Sequence, residues 1–387
     1  MPGAIPASMV SLALRFPERV IGNDHWRRKY PDLVRTAEER TLGKLWRPEG
    51  NGSCGRFDAA MAKYLADPFR GCVERRWLSP GEQAIDLEEP AARAALAAAR
   101  LAPGDVDLLI CSSFFPDQCD VGNGAFLARR LGLGCPAWNL ESACSSSLVA
   151  LETAASLVGT GAHRNVLVVT SCSYSRVSPE QDSLGWGNGD GAAAFVVAPV
   201  PAPAGLVAFH SINTSVTCGA IYATLEPNGG GSHRIEMHAT AEAGRLLRET
   251  AEPFLAACVG GVLEKARLTT GDVDFFVFNT PTAWYAEFCA DVLGVPREKT
   301  VNAHPLYANV GPVLTPANLY HAAAEGRVKD GATVLLYAVG SASNASAAVM
   351  RFSDLRLGRR PVTEAPAGPT TYPETPPGHP WRCGGPS

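Results

Sequence analysis

No C-x-x-C pair occurs among the eleven cysteines of this 387-residue chain, and their spacing is irregular. An odd count without a pairing pattern argues against a disulfide framework and reads as free thiols in a reducing compartment. No apolar run is long enough to cross a bilayer. No basic block appears and the formal net charge is −4, which argues against nucleic acid and against an anionic membrane surface as partners. The opening MPGAIPASMVSLAL lacks a basic region followed by a long apolar core, so no secretory leader is expected and the expected location is cytoplasmic. What is present is a 46% hydrophobic, 19% charged composition, suited to a large globular core. The length allows two domains or one duplicated fold.

The chain nearly repeats itself. ARLAPGDVDLLICSS begins at Ala99 and ARLTTGDVDFFVFNT at Ala266, an offset of 167 residues. NVLVVTS at Asn165 and TVLLYAV at Thr333 match at nearly the same offset. Two matches at one spacing argue for internal duplication. Short, continuous apolar runs alternate with helical stretches, which predicts parallel buried strands with crossover helices. The first half spans roughly 1–200 and carries an insertion at about 35–70; the second spans 205–352. The Pro-rich APVPAPAG joins them, and residues 354–387, rich in Pro and Gly, read as a disordered tail. Adding the offset to Cys144 lands on Gly311, so equivalent strand-to-helix junctions carry Cys144 and the pair His304/Asn309.

Cys144 sits in WNLESACSSSLVALETAASLV, where a strand-like run gives way to a helical one. Unpaired N–H groups at a helix start favour a thiolate, which predicts a nucleophile. The small neighbours Ala143, Ser145, Ser146 and Ser147 would let an acyl thioester approach. An inert buried cysteine is the bland alternative; a metal ligand is disfavoured because no Cys or His partner stands at ligand spacing. GNGDGAAAFVV looks at first like a phosphate cradle, but no P-loop Lys-Ser/Thr follows, and tight packing is the expected reading.

Several stretches together resemble the β-ketoacyl-ACP synthase III family of thiolase-fold condensing enzymes. They are VERRWLSPGEQAIDLEEPAARAALAAARLAPGDVDLLICSSFFPD, RRLGLGCPAWNLESACSSS, GWGNGDGAAAFVV and LYANVGPVLTPANLYHAAAEGRVKDGATVLLYAVGSASNASAAVMRF. The resemblance implies a thiolase fold: two α/β halves in a five-layer αβαβα arrangement, a homodimer, and an acyl-carrier-protein or CoA thioester as substrate without a further cofactor or metal. It also implies that Cys144 is the nucleophile, with its backbone N–H and that of Ala342 as oxyanion donors. The sequence departs from the family at Asn279, which stands where the family usually has a histidine. His304 instead lies five residues before Asn309, the family's asparagine position. That arrangement resembles an acyltransferase branch in secondary metabolism, with His304 as general base and Asn309 orienting His304 or the substrate. SSFFPDQCDVGNG resembles the segment that reaches the partner's acyl pocket, where Asp120 would shape a site for a short or polar acyl group, unless it is simply a surface loop residue. The insertion reads equally as a lid or as surface embellishment. The expected reaction is acyl transfer to an O or N acceptor, a small molecule. The alternatives are carbon–carbon bond formation by a ketosynthase, or a non-catalytic partner subunit.

Overall fold

The computed structural model describes residues 5–39, 55–65, 67–229, 231–341 and 343–361. The first sheet holds β1 (Ala7–Arg15), β4 (Leu108–Phe114), β5 (Ala137–Asn139), β6 (Val166–Ser173), β7 (Asp190–Pro199) and β14 (Arg356–Leu357), in the order β14-β1-β7-β6-β4-β5. The second holds β8 (Gly205–Asn213), β11 (Phe275–Phe278), β12 (Thr333–Val339) and β13 (Asn344–Arg351), in the order β11-β12-β13-β8. Two small ladders complete the set: β2 (Val20–Gly22) with β3 (Glu74–Arg76), and the hairpin β9 (Ile221–Pro227) with β10 (His233–Ala239).

The two main sheets run through the same order when β4, β6, β7 and β1 are matched with β11, β12, β13 and β8. The local chemistry repeats as well. The helices Ile85–Ala99 and Ala243–Ala266 both end on a left-handed arginine, Arg100 at φ 60° and Arg267 at φ 55°. Each is followed by a Gly-Asp 3₁₀ turn whose aspartate accepts from the backbone three residues earlier. Asp105 Oδ2 accepts from Ala102 at 2.7 Å, and Asp272 Oδ2 accepts from Thr269 at 2.8 Å. Further on, the 3₁₀ turns Ala143–Ser145 and Gly311–Val313 each lead into a helix, Ser146–Gly159 and Leu314–Ala324.

The strands are mixed, not uniformly parallel. β4 runs parallel to β6 and β5, and β11 to β12, but β7 and β13 are antiparallel to their neighbours on both sides. No helical crossover separates β6 from β7 or β12 from β13, so each pair returns directly and antiparallel. Helices Ser146–Gly159 and Leu314–Ala324 lie between the sheets and touch both. Ile85–Ala99 covers the outer face of the first sheet and Ala243–Ala266 that of the second, giving five layers. The segment read as tail contributes β14, which pairs parallel with β1 at Ser11 and Leu12, so order extends past residue 354. The reason is that β1 otherwise leaves a sheet edge open beside Tyr320, whose hydroxyl donates to Gly358 O at 2.7 Å. Residues 362–387 lie outside the described set.

The described part of the insertion is a wall and not an ornament. Its helix Arg56–Ala62 packs on the helices Tyr285–Leu293 and Ala243–Ala266. Phe57 meets Phe288 edge-on with centroids 5.2 Å apart. Ion pairs join Arg56 to Glu252, Asp58 to Arg248 and Lys63 to Glu287. Exposed pairs contribute about 0–1 kcal/mol each, whereas a buried aromatic contributes roughly 1.5–3 kcal/mol, so Phe57 is the stronger anchor. No helix among the described residues is long and apolar enough to cross a membrane.

Candidate active site

A cavity of about 450 Å³ lies where the two 3₁₀ junctions meet, and Ala143, Cys144, Tyr174, His304 and Asn309 line its inner end. The described part of the insertion supplies Phe57, Pro68, Phe69 and Arg70 to its wall. Ile221, Tyr222 and Met237 of the hairpin and Leu247 and Phe254 of the long helix complete a mainly apolar surround.

The turn that presents Cys144 is strained and firmly held. Ala143 adopts φ 49°, a left-handed conformation unusual for a residue with a Cβ. Ser146 Oγ accepts from the Ser142 N–H at 2.7 Å and donates to Ala143 O at 2.7 Å. Ser145 Oγ lies 2.6 Å from Ser142 O and 2.5 Å from Asn344 Oδ1, and its single proton serves these two acceptors. The serines are therefore fasteners of the turn. Ser145, Ser146 and Ser147 are buried and do not provide the open approach that their small size suggested. Gly340 lets the second sheet come close: a Cβ there would lie 2.5 Å from Ser142 O.

Cys144 does not rest as a thiolate. Burial is the largest influence and pushes its thiol up to about 11; the Tyr174 hydroxyl and the residue's own N–H pull it down, and Glu141 pushes it up further. The expected helix-start effect is outweighed because the α-helix proper begins only at Ser146. His304 moves the other way. Burial lowers it to about 4, a hydrogen bond to Thr280 O raises it, and the charge of Arg75 lowers it. At neutral pH the imidazole is uncharged. Its Nδ1 lies 3.0 Å from Thr280 O, and only an N–H can satisfy that carbonyl. The tautomer is thereby set, and the lone pair sits on Nε2. Both shifts run against a resting thiolate–imidazolium pair. Proton transfer must therefore accompany attack on an acyl group.

Among the described residues no hydrogen bond joins Asn309 to His304. Asn309 Oδ1 accepts from the Gly311 N–H at 3.0 Å, and its amide acts on the Tyr174 hydroxyl. The Tyr174 hydroxyl also bears on the Cys144 thiol and lowers it. Tyr174 was missed in the sequence; its only signal was its place directly after a strand core, in VVTSCSYS. Tyr174→Phe is expected to slow iodoacetamide alkylation of Cys144 by at least about 10-fold at neutral pH, since a hydrogen bond to a charged group contributes about 1.5–3 kcal/mol. Unchanged alkylation would show that the hydroxyl does not act on the thiol.

Asn279 is fully buried, away from the lining of the cavity. Its Oδ1 accepts from the Val339 N–H at 3.1 Å, and its Nδ2 has no hydrogen-bond partner among the described residues. Val339 itself lines the cavity, so Asn279 supports the wall from behind. Asp120 is exposed in a turn and does not reach the cavity of its own chain. Ala342 lies outside the described residues. Among the described residues no group of three or more His, Cys, Asp and Glu side chains could hold a metal ion.

The glycine-rich segment serves packing. Gly189 N donates to Asn309 O at 2.9 Å, and Asn309 N donates to Gly187 O at 2.8 Å. A Cβ on Gly189 would lie 2.3 Å from Tyr307 O, a backbone atom that cannot swing away. Gly189→Ala should therefore cost about 1–3 kcal/mol of stability and push Asn309 out of line. Thermal unfolding together with Cys144 alkylation checks this; a variant with wild-type values in both would remove the segment's positioning role.

Family models match two parts of the chain: "3-Oxoacyl-[acyl-carrier-protein (ACP)] synthase III" over residues 138–215 and its C-terminal counterpart over 263–352. The β-ketoacyl-[acyl-carrier-protein] synthase III 3 of Streptomyces coelicolor is 30% identical over 289 residues, 72% of this chain and 86% of that protein. The synthase III of Thiobacillus denitrificans is 30% identical over 287 residues, 73% and 88% of the two chains. The crystal structure of 3-oxoacyl-(acyl carrier protein) synthase III from Pseudomonas aeruginosa superposes with TM-score 0.73 at 22% identity, covering 90% of this chain and 99% of that one. That of OleA from Xanthomonas campestris superposes with TM-score 0.72 at 19% identity, covering 91% and 98%. At those identities the superpositions establish the fold alone. The duplicated five-layer architecture is the thiolase fold, and the chain belongs to the 3-oxoacyl-[acyl-carrier-protein] synthase III family.

Proposed function

We propose that this protein takes an acyl group from an acyl-carrier-protein or CoA thioester onto Cys144 and passes it to the oxygen or nitrogen of a small acceptor, in natural-product biosynthesis. The observation that carries the reading is the state of His304: neutral, on the cavity wall, with Nδ1 committed to Thr280 O and Nε2 left as a base. In the first half-reaction the Cys144 sulfur attacks the thioester carbonyl as His304 Nε2 takes its proton, and the donor sulfur departs with that proton as the free thiol. In the second, Nε2 of His304 removes the acceptor's proton as its oxygen or nitrogen attacks the acyl-cysteine, and returns it to the Cys144 sulfur as that sulfur leaves. The backbone N–H of Cys144 is the oxyanion donor we assign, with Ala342 as the second. The apolar wall suits an acceptor with a hydrophobic body. We include a homodimer in the proposal. β5 leaves one sheet edge unpaired, with Trp138 44% and Val121 51% exposed nearby. Asp120 lies in the same region and would face the partner.

A second reading is decarboxylative condensation, favoured by the names of the relatives, which are β-ketoacyl synthases. Against it stands Asn279, buried behind the wall where the family usually has a histidine. Product analysis separates the two. The protein is incubated with acetyl-, hexanoyl- and malonyl-CoA, alone and with 2-phenylethanol or 2-phenylethylamine. An ester or amide supports acyl transfer; release of CO₂ with a β-keto product overturns it.

A further inference from the structure

Arg75, in β3, is completely buried and makes no ion pair among the described residues. Every contact it makes is to a neutral group. Its Nε donates to Trp186 O at 2.9 Å, and Nη2 donates to the same oxygen. Nη1 donates to Asn23 Oδ1 at 2.7 Å and to Ile21 O at 3.3 Å, and the guanidinium lies 4.4 Å from the centre of the Trp26 ring. Burying a cation without a bound counter-charge is costly, and an apolar side chain of similar volume would serve stability as well or better. Stability alone does not account for the residue.

What Arg75 grips is the start of the strip that holds the site. Trp186 lines the cavity and its carbonyl is the atom clamped by two guanidinium nitrogens. The next residue, Gly187, accepts from Asn309 N at 2.8 Å, and Gly189 returns a bond to Asn309 O at 2.9 Å. Trp77, two residues after Arg75, donates its indole N–H to Asn188 O at 3.0 Å. The side chains of one short segment thus fix the carbonyls of Trp186 and Asn188, and the strip between them fixes Asn309. A misplacement of about 1 Å passed along such a path can cost 10²-fold in rate.

We propose that Arg75 is a positioning residue for the acyl-transfer site, setting the place of Asn309 through the Trp186 carbonyl and the strip that follows it. The inference rests on His304 and Asn309 having the roles assigned above. Besides His304, the titratable groups that line the cavity are Cys144, Tyr174, Tyr222, Tyr285 and Arg70, and the charge of Arg75 also bears on the imidazole. Its sign is to oppose protonation, so removing it should raise the pH at which His304 takes up a proton.

Two substitutions separate the effects. Arg75→Lys keeps the charge but cannot clamp one carbonyl with two nitrogens. Arg75→Met removes both. His304 is titrated by NMR of its Cε1–H in the resting protein. Acylation and transfer are followed by intact mass, using whichever of acetyl-, hexanoyl- and malonyl-CoA labels the wild type fastest. Arg75→Lys should transfer roughly 10–100-fold more slowly with KM within about threefold, and with an unshifted His304 titration. Arg75→Met should add an upward shift of the titration by about half a unit or more. If both variants fold, transfer at the wild-type rate and leave the titration in place, the proposal is wrong. A lowered melting temperature with unchanged kcat and titration also overturns it, since Arg75 would then be merely structural. If Arg75→Met fails to fold, wild-type kcat in Arg75→Lys overturns the positioning role. His304→Ala runs alongside: if it transfers normally, the catalytic reading itself has failed; if it is slow while the Arg75 variants are not, only this inference has.

Discussion

Cys144→Ala is expected to abolish the covalent acyl adduct and to reduce acyl transfer by at least about 10⁴-fold, because the nucleophile of a coupled set cannot be replaced by its neighbours. The fold should survive. Removing one sulfur from a partly buried side chain costs about 1 kcal/mol, and the turn is held by Ser142, Ser145, Ser146 and Asn344, none of which bonds through the thiol. Incubation with an acyl-CoA followed by intact-mass and peptide mapping decides the matter. Cys119 and Cys218 are the exposed free cysteines among the described residues, and they serve as internal controls for simple chemical acylation. An adduct that persists in Cys144→Ala, or that maps to Cys119 or Cys218 in the wild type, would remove Cys144 from the mechanism.

The second large effect is expected at His304. His304→Ala should slow transfer from acyl-Cys144 to the acceptor by about 10²–10⁴-fold, the usual range for a lost general base. The pH dependence is unusual. His304 is depressed from 6.5 to about 4, so its base form persists well below neutrality. The transfer rate should therefore hold as pH falls through 6 and decline only as it passes through about 4. An imidazole at its ordinary value would lose half the activity near pH 6.5. Single-turnover measurements of the two half-reactions across pH 3.5–8 test both statements, the wild type setting the profile and His304→Ala the amplitude. A wild-type rate in the variant would reduce His304 to a wall residue. An acid limb near 6.5 would mean that the cavity is more hydrated, or more open in the acyl-enzyme, than in this structure.

The site also shows how burial and position reassign residues of familiar type. Asn279 lies buried behind the wall, whereas His304 opens a four-residue helix, His304–Tyr307, on the cavity side.

By itself the sequence determined what depends on neighbours along the chain. The Gly-Asp turns, the left-handed arginines before them and the paired 3₁₀-to-helix junctions all follow from short segments, which is why the 167-residue repeat was visible. The place of Cys144 at a turn that leads into a helix was legible for the same reason, as was the packing role of Gly189 and its neighbours. Only the tertiary structure decided what depends on surroundings assembled from distant parts. The strand directions of β7 and β13 came from the return path of the chain. Burial, which no local pattern reports, set Cys144 at about 11 and His304 at about 4 and so reversed the expected resting thiolate. Tyr174, Asn309 and Arg75 act through atoms 30 to more than 100 residues away in sequence, and His304 takes its tautomer from Thr280. Insertion residues became the cavity wall because Phe57 found Trp284 and Phe288, a contact no spacing along the chain encodes.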